Sequence, residues 1–220
     1  MIERKIKTDL LRNLNPGNVT ILFGARRTGK TFLMNRIVES IEDKKALVLN
    51  GEDFEVMTVL ASGKQAVLKS LVANYDYLFI DEAQNIPDIG RNLKLLVDSV
   101  QNLSVFATGS ASFDLRNKVG APLTGRSRFF HLYPFSISET SENYITVLQQ
   151  LPINLIYGSY PQVFLEENVV EKRHILENLK NGYLLKDVLL LDNLKDSMFV
   201  MDLLKLVAFQ IGNDVSYNEL

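Results

Sequence analysis

Apolar residues follow two alternating patterns ahead of Pro134. Short β-rich runs, several of them unbroken as in strands buried on both faces, lie at 19–23, 46–50, 77–80, 105–108 and 128–132. Segments with apolar residues at helical spacing lie between them, at 31–41, 64–73 and 89–100. Strands that alternate with helices of this length predict βαβ units, and therefore a parallel sheet whose ligands bind at the carboxyl ends of the strands.

The pattern changes beyond Pro134, where the strand signals end. Helical spacing continues at 145–151, 169–179, 183–194 and 203–211. Ser216 and Glu219 have the spacing of a capping box, which predicts the start of a further helix. We therefore expect a domain boundary between residues 134 and 140, followed by a helical subdomain.

Composition narrows the class of protein. Of the 220 residues, 46% are hydrophobic and 23% are charged, as in ordinary globular proteins, so whole-chain disorder is excluded. The absence of cysteine excludes disulfide scaffolds, thiolate zinc sites and cysteine nucleophiles. Residues 1–10 lack the apolar core of a signal peptide, and no apolar run is long enough to span a membrane, so we expect a cytoplasmic protein.

Charge is distributed unevenly, although the net charge is only −2. Cations outnumber acids in residues 1–50, acids outnumber cations in residues 51–100, and residues 115–138 contain cations without any acid. Two cationic regions thus flank an acidic one, as a site for phosphate and magnesium requires. Ordinary variation of surface charge is the alternative explanation of the same pattern. The small net charge argues against a global nucleic-acid surface.

The segment GARRTGKT, from Gly24 to Thr31, is a complete GxxxxGK[ST] phosphate-loop pattern between a predicted strand and a predicted helix. In such a loop, backbone N–H groups and the positive end of the helix face the phosphates. We expect Lys30 to contact the β- and γ-phosphates and Thr31 to provide a hydroxyl ligand to Mg²⁺. Arg26 and Arg27 add cations to the loop, and both also fit a solvated turn, which we favour for Arg27. The full set of expected nucleotide contacts here is Gly24, Arg26, Arg27, Thr28, Gly29, Lys30, Thr31 and Phe32.

A second motif follows the buried run 77–80, which ends in Asp81 and Glu82. A carboxylate at a strand end beside a phosphate loop suits Mg²⁺ held through its water shell, and this is the role we expect for Asp81. Glu82 is placed to orient and deprotonate an attacking water. The two motifs, Walker A and Walker B in type, predict binding and hydrolysis of a nucleoside triphosphate.

Three further residues are weaker candidates. Thr108 and Ser110 end the strand expected next to that of Asp81, where a hydroxyl could contact the γ-phosphate, although hydroxyls also cap turns. Arg126 could stabilise charge in the transition state, although exposed arginines are commonly only solvated.

The motifs, taken in order, resemble a known family. GARRTGK, YLFIDEAQNIPDIG, FATGSASFDL and LTGRSRFFHLYPFSISE, with YGSYPQV and YLLKDVLL after them, resemble the AAA-type ATPases of prokaryotes whose ATPase core precedes an uncharacterised C-terminal domain. The resemblance implies an α/β P-loop NTPase fold, an αβα sandwich with a mostly parallel sheet, followed by a helical lid and the start of a winged helix. The implied parts are a P-loop ATPase core at 1–137, a helical lid at 138–198 and a truncated winged helix at 199–220.

The resemblance also implies ligands and partners. YGSYP is similar to the Gly-x-Pro lid motif of signal-transducing ATPases, which implies that Pro161 packs near adenine. In AAA-type assemblies an arginine in the region of Arg126 reaches the nucleotide of a neighbouring subunit. We expect ATP and Mg²⁺ as ligands, and a homo-oligomer and a DNA or protein partner of the C-terminal region stay open.

Three function classes stay open as well. We favour an ATPase that acts as a conformational switch or small motor. A regulatory module that holds nucleotide with little turnover uses the same pocket, so the sequence does not separate it from the first class. The third class is a helicase, which is disfavoured because it needs two such domains and 220 residues have room for one. A small-molecule kinase also uses this loop, but the Asp81–Glu82 pair favours activation of water over activation of an acceptor hydroxyl.

Overall fold

Five parallel strands form one sheet in the computed structural model, which describes residues 2–41, 45–110, 123–141, 143–184 and 197–212. The strands are β1 (Val19–Gly24), β2 (Ala46–Asn50), β3 (Tyr77–Asp81), β4 (Ser104–Ser110) and β5 (Ser127–His131). Their order is β2-β3-β4-β1-β5, and all neighbouring pairs are parallel. The predicted α/β fold with its mostly parallel sheet is confirmed.

Helices precede, connect and follow the strands. Those in the described residues are α1 (Ile6–Asn13), α2 (Lys30–Glu39), α3 (Phe54–Leu60), α4 (Gln65–Val72), α5 (Ile89–Ser99), α6 (Ile137–Thr140), α7 (Tyr144–Tyr157), α8 (Pro161–Leu165), α9 (Val169–Leu179) and α10 (Ser197–Phe209). A 3₁₀ turn covers Ala83–Asn85, and a π-helical turn covers Lys180–Leu184.

The sheet is covered on both faces, which explains the unbroken apolar runs. Every residue of β1, β3 and β4 is buried. Successive side chains point to opposite faces, so Ile21 packs with α4 and α5 while Leu22 packs with α1 and α2. Full burial of one such side chain contributes about 1.5–3 kcal/mol. The strands at the two edges, β2 and β5, have exposed positions.

The sheet brings the carboxyl ends of its strands to one edge. Gly24 at the end of β1 lies opposite Ser110 of β4, and Asn50 at the end of β2 lies opposite Asp81 of β3. Because β4 lies between β1 and β3, the phosphate-loop strand and the Asp81 strand are not neighbours. The segments that follow these strands therefore surround one region, where parallel α/β sheets bind ligands.

Some helices differ from those expected. Four of the helices in the described residues were not predicted, namely α1, α3, α6 and α8. The last three span seven residues or fewer, too few to establish a helical repeat, whereas α1 does place Ile6 and Leu10 at helical spacing. Helix α7 continues beyond the predicted end at Leu151 and contains Pro152, and α10 begins earlier than the predicted residue 203. Most of the predicted helix at 183–194 and the capping box at 216–219 lie outside the described residues.

The chain forms two compact units. One consists of Met1–Leu155 with Ser159–Pro161 and contains the sheet, and the other consists of Ile156–Gly158 with Gln162–Leu220. The functional division at residues 137 and 198, including the winged helix, stays a prediction. Within the described ranges no helix has both the length and the apolar character to cross a membrane.

Candidate nucleotide-binding site

The predicted phosphate loop connects β1 to α2. Gly29 stands immediately before α2 with φ of +95°, a left-handed conformation that glycine adopts without steric cost. Thr28 is buried, and its hydroxyl donates to the carbonyl oxygen of Ala25 at 2.8 Å. The exposed residue Arg27 has φ of +62°, so the loop curls twice through left-handed backbone. This curl lets consecutive backbone N–H groups converge, as binding of a phosphate requires.

Lys30 places a buried positive charge at the N-terminus of α2. The residue is only 4% exposed, and its ammonium donates to the carbonyl oxygens of Gly24 and Ala25, at 3.0 Å each. A buried ammonium is costly without such acceptors. The side chain thus folds over its own loop, where its charge and the helix dipole both favour an anion.

Asp81 joins the two sequence motifs. Its Oδ2 accepts a hydrogen bond of 2.7 Å from the hydroxyl of Thr31, and its Oδ1 accepts one from the hydroxyl of Thr108. The hydroxyl of Thr108 in turn accepts from the N–H of Glu82 at 3.1 Å. The contacts of the Thr108 hydroxyl are thus with Asp81 and Glu82, and its contact with the γ-phosphate stays a prediction.

Glu82 follows β3 in a left-handed conformation with φ of +50°. Gln84 donates its amide to Oε2 of Glu82 and accepts from the N–H of Ser110 at 3.3 Å. A non-glycine residue in this backbone region is strained and persists when its surroundings hold it, and such positions cluster at functional sites. Ser110 therefore lies at the same edge as Glu82 and is linked to it through Gln84, a residue that the sequence did not single out.

Gly51 allows β2 to end close to the acidic pair. Its N–H donates to the carbonyl oxygen of Asp81 at 2.7 Å. A Cβ at this position would lie 2.6 Å from the carbonyl oxygen of Glu82 and 2.9 Å from that of Asp81, closer than real Cβ contacts. The sequence analysis ended the predicted strand at residue 50 and went no further, although a glycine at the next position also signals a close backbone approach.

The remaining loop residues lie at the periphery. Arg26 is exposed, and Phe32 is 47% exposed with the guanidinium of Arg36 5.5 Å from its ring centroid. A cleft of about 400 Å³ runs beside α2; Ile2, Glu3, Arg4, Lys7, Phe32, Leu33, Arg36, Glu39 and Ser40 line it. Phe32 therefore offers a ring in a cleft formed by α2 and the N-terminal segment.

Arg126 is not brought to the phosphate loop of its own chain. It precedes β5, and its carbonyl oxygen accepts from the N–H of Val19 at the amino end of β1. Its guanidinium forms an ion pair of 2.7 Å with Asp98 on α5. The phosphate loop follows the opposite, carboxyl end of β1, so these contacts do not place Arg126 at its own phosphate loop. A role towards a neighbouring subunit stays a prediction.

Pro161 is the first residue of α8, and Tyr160 precedes it. Burial raises the pKa of the Tyr160 phenol above its ordinary value of 10.0, so the phenol is protonated at neutral pH. The packing of Pro161 near adenine stays a prediction of the lid resemblance.

The donor set at the site fits Mg²⁺. Within the described ranges no cluster of three or more His, Asp or Glu side chains could hold a metal ion. Mg²⁺ in nucleotide sites is held by one or two carboxylates together with substrate phosphates, so such a cluster is not required. The Asp81 carboxylate and the Thr31 hydroxyl are hard oxygen donors in direct contact, and they satisfy that pattern.

The solved structures that are similar to this chain include two distant matches. An AAA domain of FIGL-1 in complex with ADP has a TM-score of 0.44 at 14% identity, over 70% of this chain and 59% of that one. The Pif1 helicase from Candida albicans has a TM-score of 0.40 at 16% identity, over 69% of this chain and 44% of that one.

Comparison of sequences gives a family. An uncharacterised protein of Methanocaldococcus jannaschii, MJ1544, is 23% identical over 230 residues, which cover 98% of this chain and 52% of that protein. The chain thus spans about half the length of this relative. Residues 16–141 match the AAA domain family, a match that includes the phosphate loop and both residues of the acidic pair. With more than half of its residues matched, the chain belongs to the AAA domain family.

Proposed function

We propose that this chain binds ATP with Mg²⁺ at the phosphate loop and hydrolyses it to ADP and phosphate, and that the ATPase acts as a conformational switch or small motor. The observation that supports this most directly is the 2.7 Å hydrogen bond between Thr31 and Asp81. It joins two motifs that are remote in sequence, each of which suits one half of a magnesium–phosphate site. Membership of the AAA domain family is consistent with nucleotide binding.

In the proposed binding step, the residues of the loop and of the neighbouring strand ends contact the nucleotide and Mg²⁺. Lys30 contacts the β- and γ-phosphates, and the N–H groups of the loop and of the first turn of α2 bind the phosphate oxygens. Gly24, Arg26, Arg27, Thr28, Gly29, Phe32 and Ser110 complete the set of proposed nucleotide contacts, and Pro161 is proposed at the adenine. Thr31 and Asp81 would hold Mg²⁺, which when bound neutralises part of the phosphate charge.

Glu82 acts in the proposed chemical step. Its carboxylate accepts a proton from a water whose oxygen attacks the γ-phosphorus, while the bond from that phosphorus to the β–γ bridging oxygen breaks and ADP leaves. Gln84 orients the carboxylate through the amide contact described above. Thr108 holds Asp81 and the backbone of Glu82 in a fixed relation, because its hydroxyl contacts both.

The test separates binding from chemistry with two variants. Lys30→Ala should lower ATP affinity at least about tenfold, or about 1.4 kcal/mol, in calorimetry, whereas Lys69→Ala on the exposed surface of α4 should not. Glu82→Gln should retain near-wild-type ATP affinity while steady-state phosphate release falls by roughly 10²-fold or more, and Glu55→Gln on α3 is its control.

Two results would contradict the proposal. Unchanged ATP affinity in a folded Lys30→Ala protein would reject the phosphate loop, and wild-type turnover in Glu82→Gln would leave that residue with a structural role. Tight ATP binding with negligible turnover in the wild-type protein would instead support a nucleotide-binding regulatory module.

A further inference from the structure

Arg4, in the segment before α1, has a buried side chain that joins three distant segments. The side chain is only 7% exposed, which is rare for an arginine without partners. Its guanidinium donates to the carbonyl oxygen of Thr28 at 3.0 Å, to the carbonyl oxygen of Tyr133, and to Oε1 of Glu139 at 3.1 Å. Its Cζ lies 4.9 Å from the ring centroid of Phe135. The phosphate loop is thus tied to the chain that follows β5.

Glu139 on α6 is a firmly anionic partner for Arg4. It accepts from the N–H of Lys5 at 3.0 Å, and from the N–H and the hydroxyl of Ser136 at 2.9 and 3.1 Å. Burial alone would raise the pKa of Glu139, but the N–H groups of Ser136 and Lys5 and the Arg4 guanidinium outweigh it, so the pKa lies below its ordinary value. At neutral pH the carboxylate is ionised and balances the charge of Arg4.

The contact with Thr28 acts on the peptide group that Thr28 shares with Gly29. In a planar trans peptide the C=O and the N–H point in opposite directions, so an oxygen held towards Arg4 turns the N–H of Gly29 the other way. Gly29 has no side chain and adopts φ of +95°, so little else about this residue restricts the orientation of the peptide plane.

We propose that Arg4 is a positioning residue of the phosphate loop, which fixes the Thr28–Gly29 peptide so that the N–H of Gly29 faces a bound phosphate. The inference rests on the nucleotide binding proposed above and adds a residue outside both motifs. Because Glu139 balances its charge, Arg4 acts through the orientation of this peptide and little through long-range attraction.

Substitution of Arg4 by lysine distinguishes the effect of donor orientation from the effect of positive charge. The planar guanidinium donates in three directions and lies over the Phe135 ring, whereas an ammonium keeps the charge but loses the fork geometry. Arg4→Lys and Arg4→Met should therefore both impair the loop. Arg12→Met is the matched control, because Arg12 lies on α1 with an exposed side chain 3.8 Å from that of Asp9.

The experiment uses two ligands that share phosphates and differ in the nucleoside. Calorimetry of the full chain should show that Arg4→Lys and Arg4→Met lower the affinity for MgATP and for magnesium pyrophosphate by the same factor, about tenfold. Arg12→Met should change neither. In ¹H–¹⁵N spectra without nucleotide, the Gly29 amide signal should shift in Arg4→Lys and stay in place in Arg12→Met.

The outcomes distinguish this inference from the proposed function. Loss of ATP affinity with unchanged pyrophosphate affinity would place Arg4 at the nucleoside end, in the cleft that it also lines, and would overturn the inference. Wild-type affinities for both ligands in a folded Arg4→Lys protein would overturn the inference. If Lys30→Ala still lost ATP affinity, the proposed function would stand. If the wild-type protein bound neither ligand, both would fail.

A second variant covers the case in which Arg4 variants do not fold. Glu139→Gln leaves the guanidinium in place and removes its anionic partner, so the affinity for both ligands should fall together by a smaller factor, about threefold. Unchanged affinities in a folded Glu139→Gln protein would then overturn the inference.

Discussion

Thr31 and Asp81 lie 50 residues apart in the sequence, yet the hydroxyl of one donates to the carboxylate of the other at 2.7 Å. The contact joins the first turn of α2 to the carboxyl end of β3. Thr108 on β4 donates to the second carboxylate oxygen, so threonine hydroxyls hold both oxygens of Asp81. Three elements, α2, β3 and β4, thus fix the orientation of the Asp81 carboxylate.

Thr108→Val should weaken binding that depends on magnesium. Valine keeps the volume and removes the hydroxyl, which leaves Oδ1 of Asp81 and the N–H of Glu82 without this partner. We expect ATP affinity measured with Mg²⁺ to fall about tenfold, and affinity measured with a chelator to change little. Thr20→Val is the control, since Thr20 is a buried strand threonine whose hydroxyl bonds to the carbonyl of Asn13. Equal losses with and without Mg²⁺ would contradict the prediction.

Gly51→Ala should impair turnover more than binding. The added Cβ collides with the carbonyl oxygen of Glu82 at 2.6 Å, so the strained backbone of that residue must shift. We expect kcat to fall about tenfold or more while ATP affinity changes less than threefold, because displacement of a catalytic base by about 1 Å is costly. Gly182→Ala is the control, since a Cβ there meets no atom within 4 Å. Normal kcat in folded Gly51→Ala would show that the turn accommodates the methyl group.

The sheet could be predicted from the sequence, whereas the pairing of its polar groups could not. An apolar run such as 77–80 is buried on both faces, and alternation with helices leaves the parallel sheet as its natural arrangement. The contact of Thr108 with Asp81 depends on the register of β3 with β4, in which Ile80 lies opposite Ala107. Single-sequence patterns do not specify that register.

Some features that the sequence analysis missed have a recognisable sequence pattern, and others have none. Asp53 caps α3 by accepting from the N–H groups of Glu55 and Val56, and Ser136 with Glu139 has the capping-box spacing that the sequence analysis used only for residues 216–219. Arg4 had no such signal. Two of its acceptors are backbone carbonyl oxygens, which every residue possesses, so only the fold could reveal that this cation is buried.

Glu139 should make the stability of the chain depend on pH below its ordinary pKa of 4.5. Its pKa is lowered in the folded state, so its stabilising contribution is complete above 4.5 and is lost as the pH falls through the folded-state pKa. Glu139→Gln should therefore unfold at lower urea concentration than wild type at neutral pH, and the difference should shrink as the pH falls below 4.5. A difference that stays constant over this range would contradict the ionic origin. Glu55→Gln, exposed on α3, is the control.

Arg126 should act on the nucleotide of a neighbouring subunit, because its own phosphate loop lies at the far end of β1. We predict that specific ATPase activity rises with protein concentration, and that Arg126→Ala abolishes the rise and leaves ATP affinity intact. An arginine finger accelerates hydrolysis by about 10³-fold or more.

Mixing variants provides the decisive check on Arg126. When the Arg126→Ala and Lys30→Ala proteins are mixed, some turnover should return. The Arg126→Ala subunit has an intact phosphate loop, and the Lys30→Ala subunit provides the arginine. Arg128→Ala, two positions further on the exposed edge strand, is the control. Activity independent of concentration, with no rescue on mixing, would leave Arg126 as the surface partner of Asp98.

The position of β1 in the sheet has a consequence for the order of events during synthesis. Val19 pairs with Val105 of β4 and with Ser127 of β5, so the first strand of the chain takes both of its neighbours from much later segments. Chains emerge from the ribosome with their N-terminus first, and long-range parallel pairing forms slowly. While β2 and β3 can already pair with each other, β1 must wait for β4. A nascent chain therefore carries its phosphate-loop sequence well before it can hold a nucleotide.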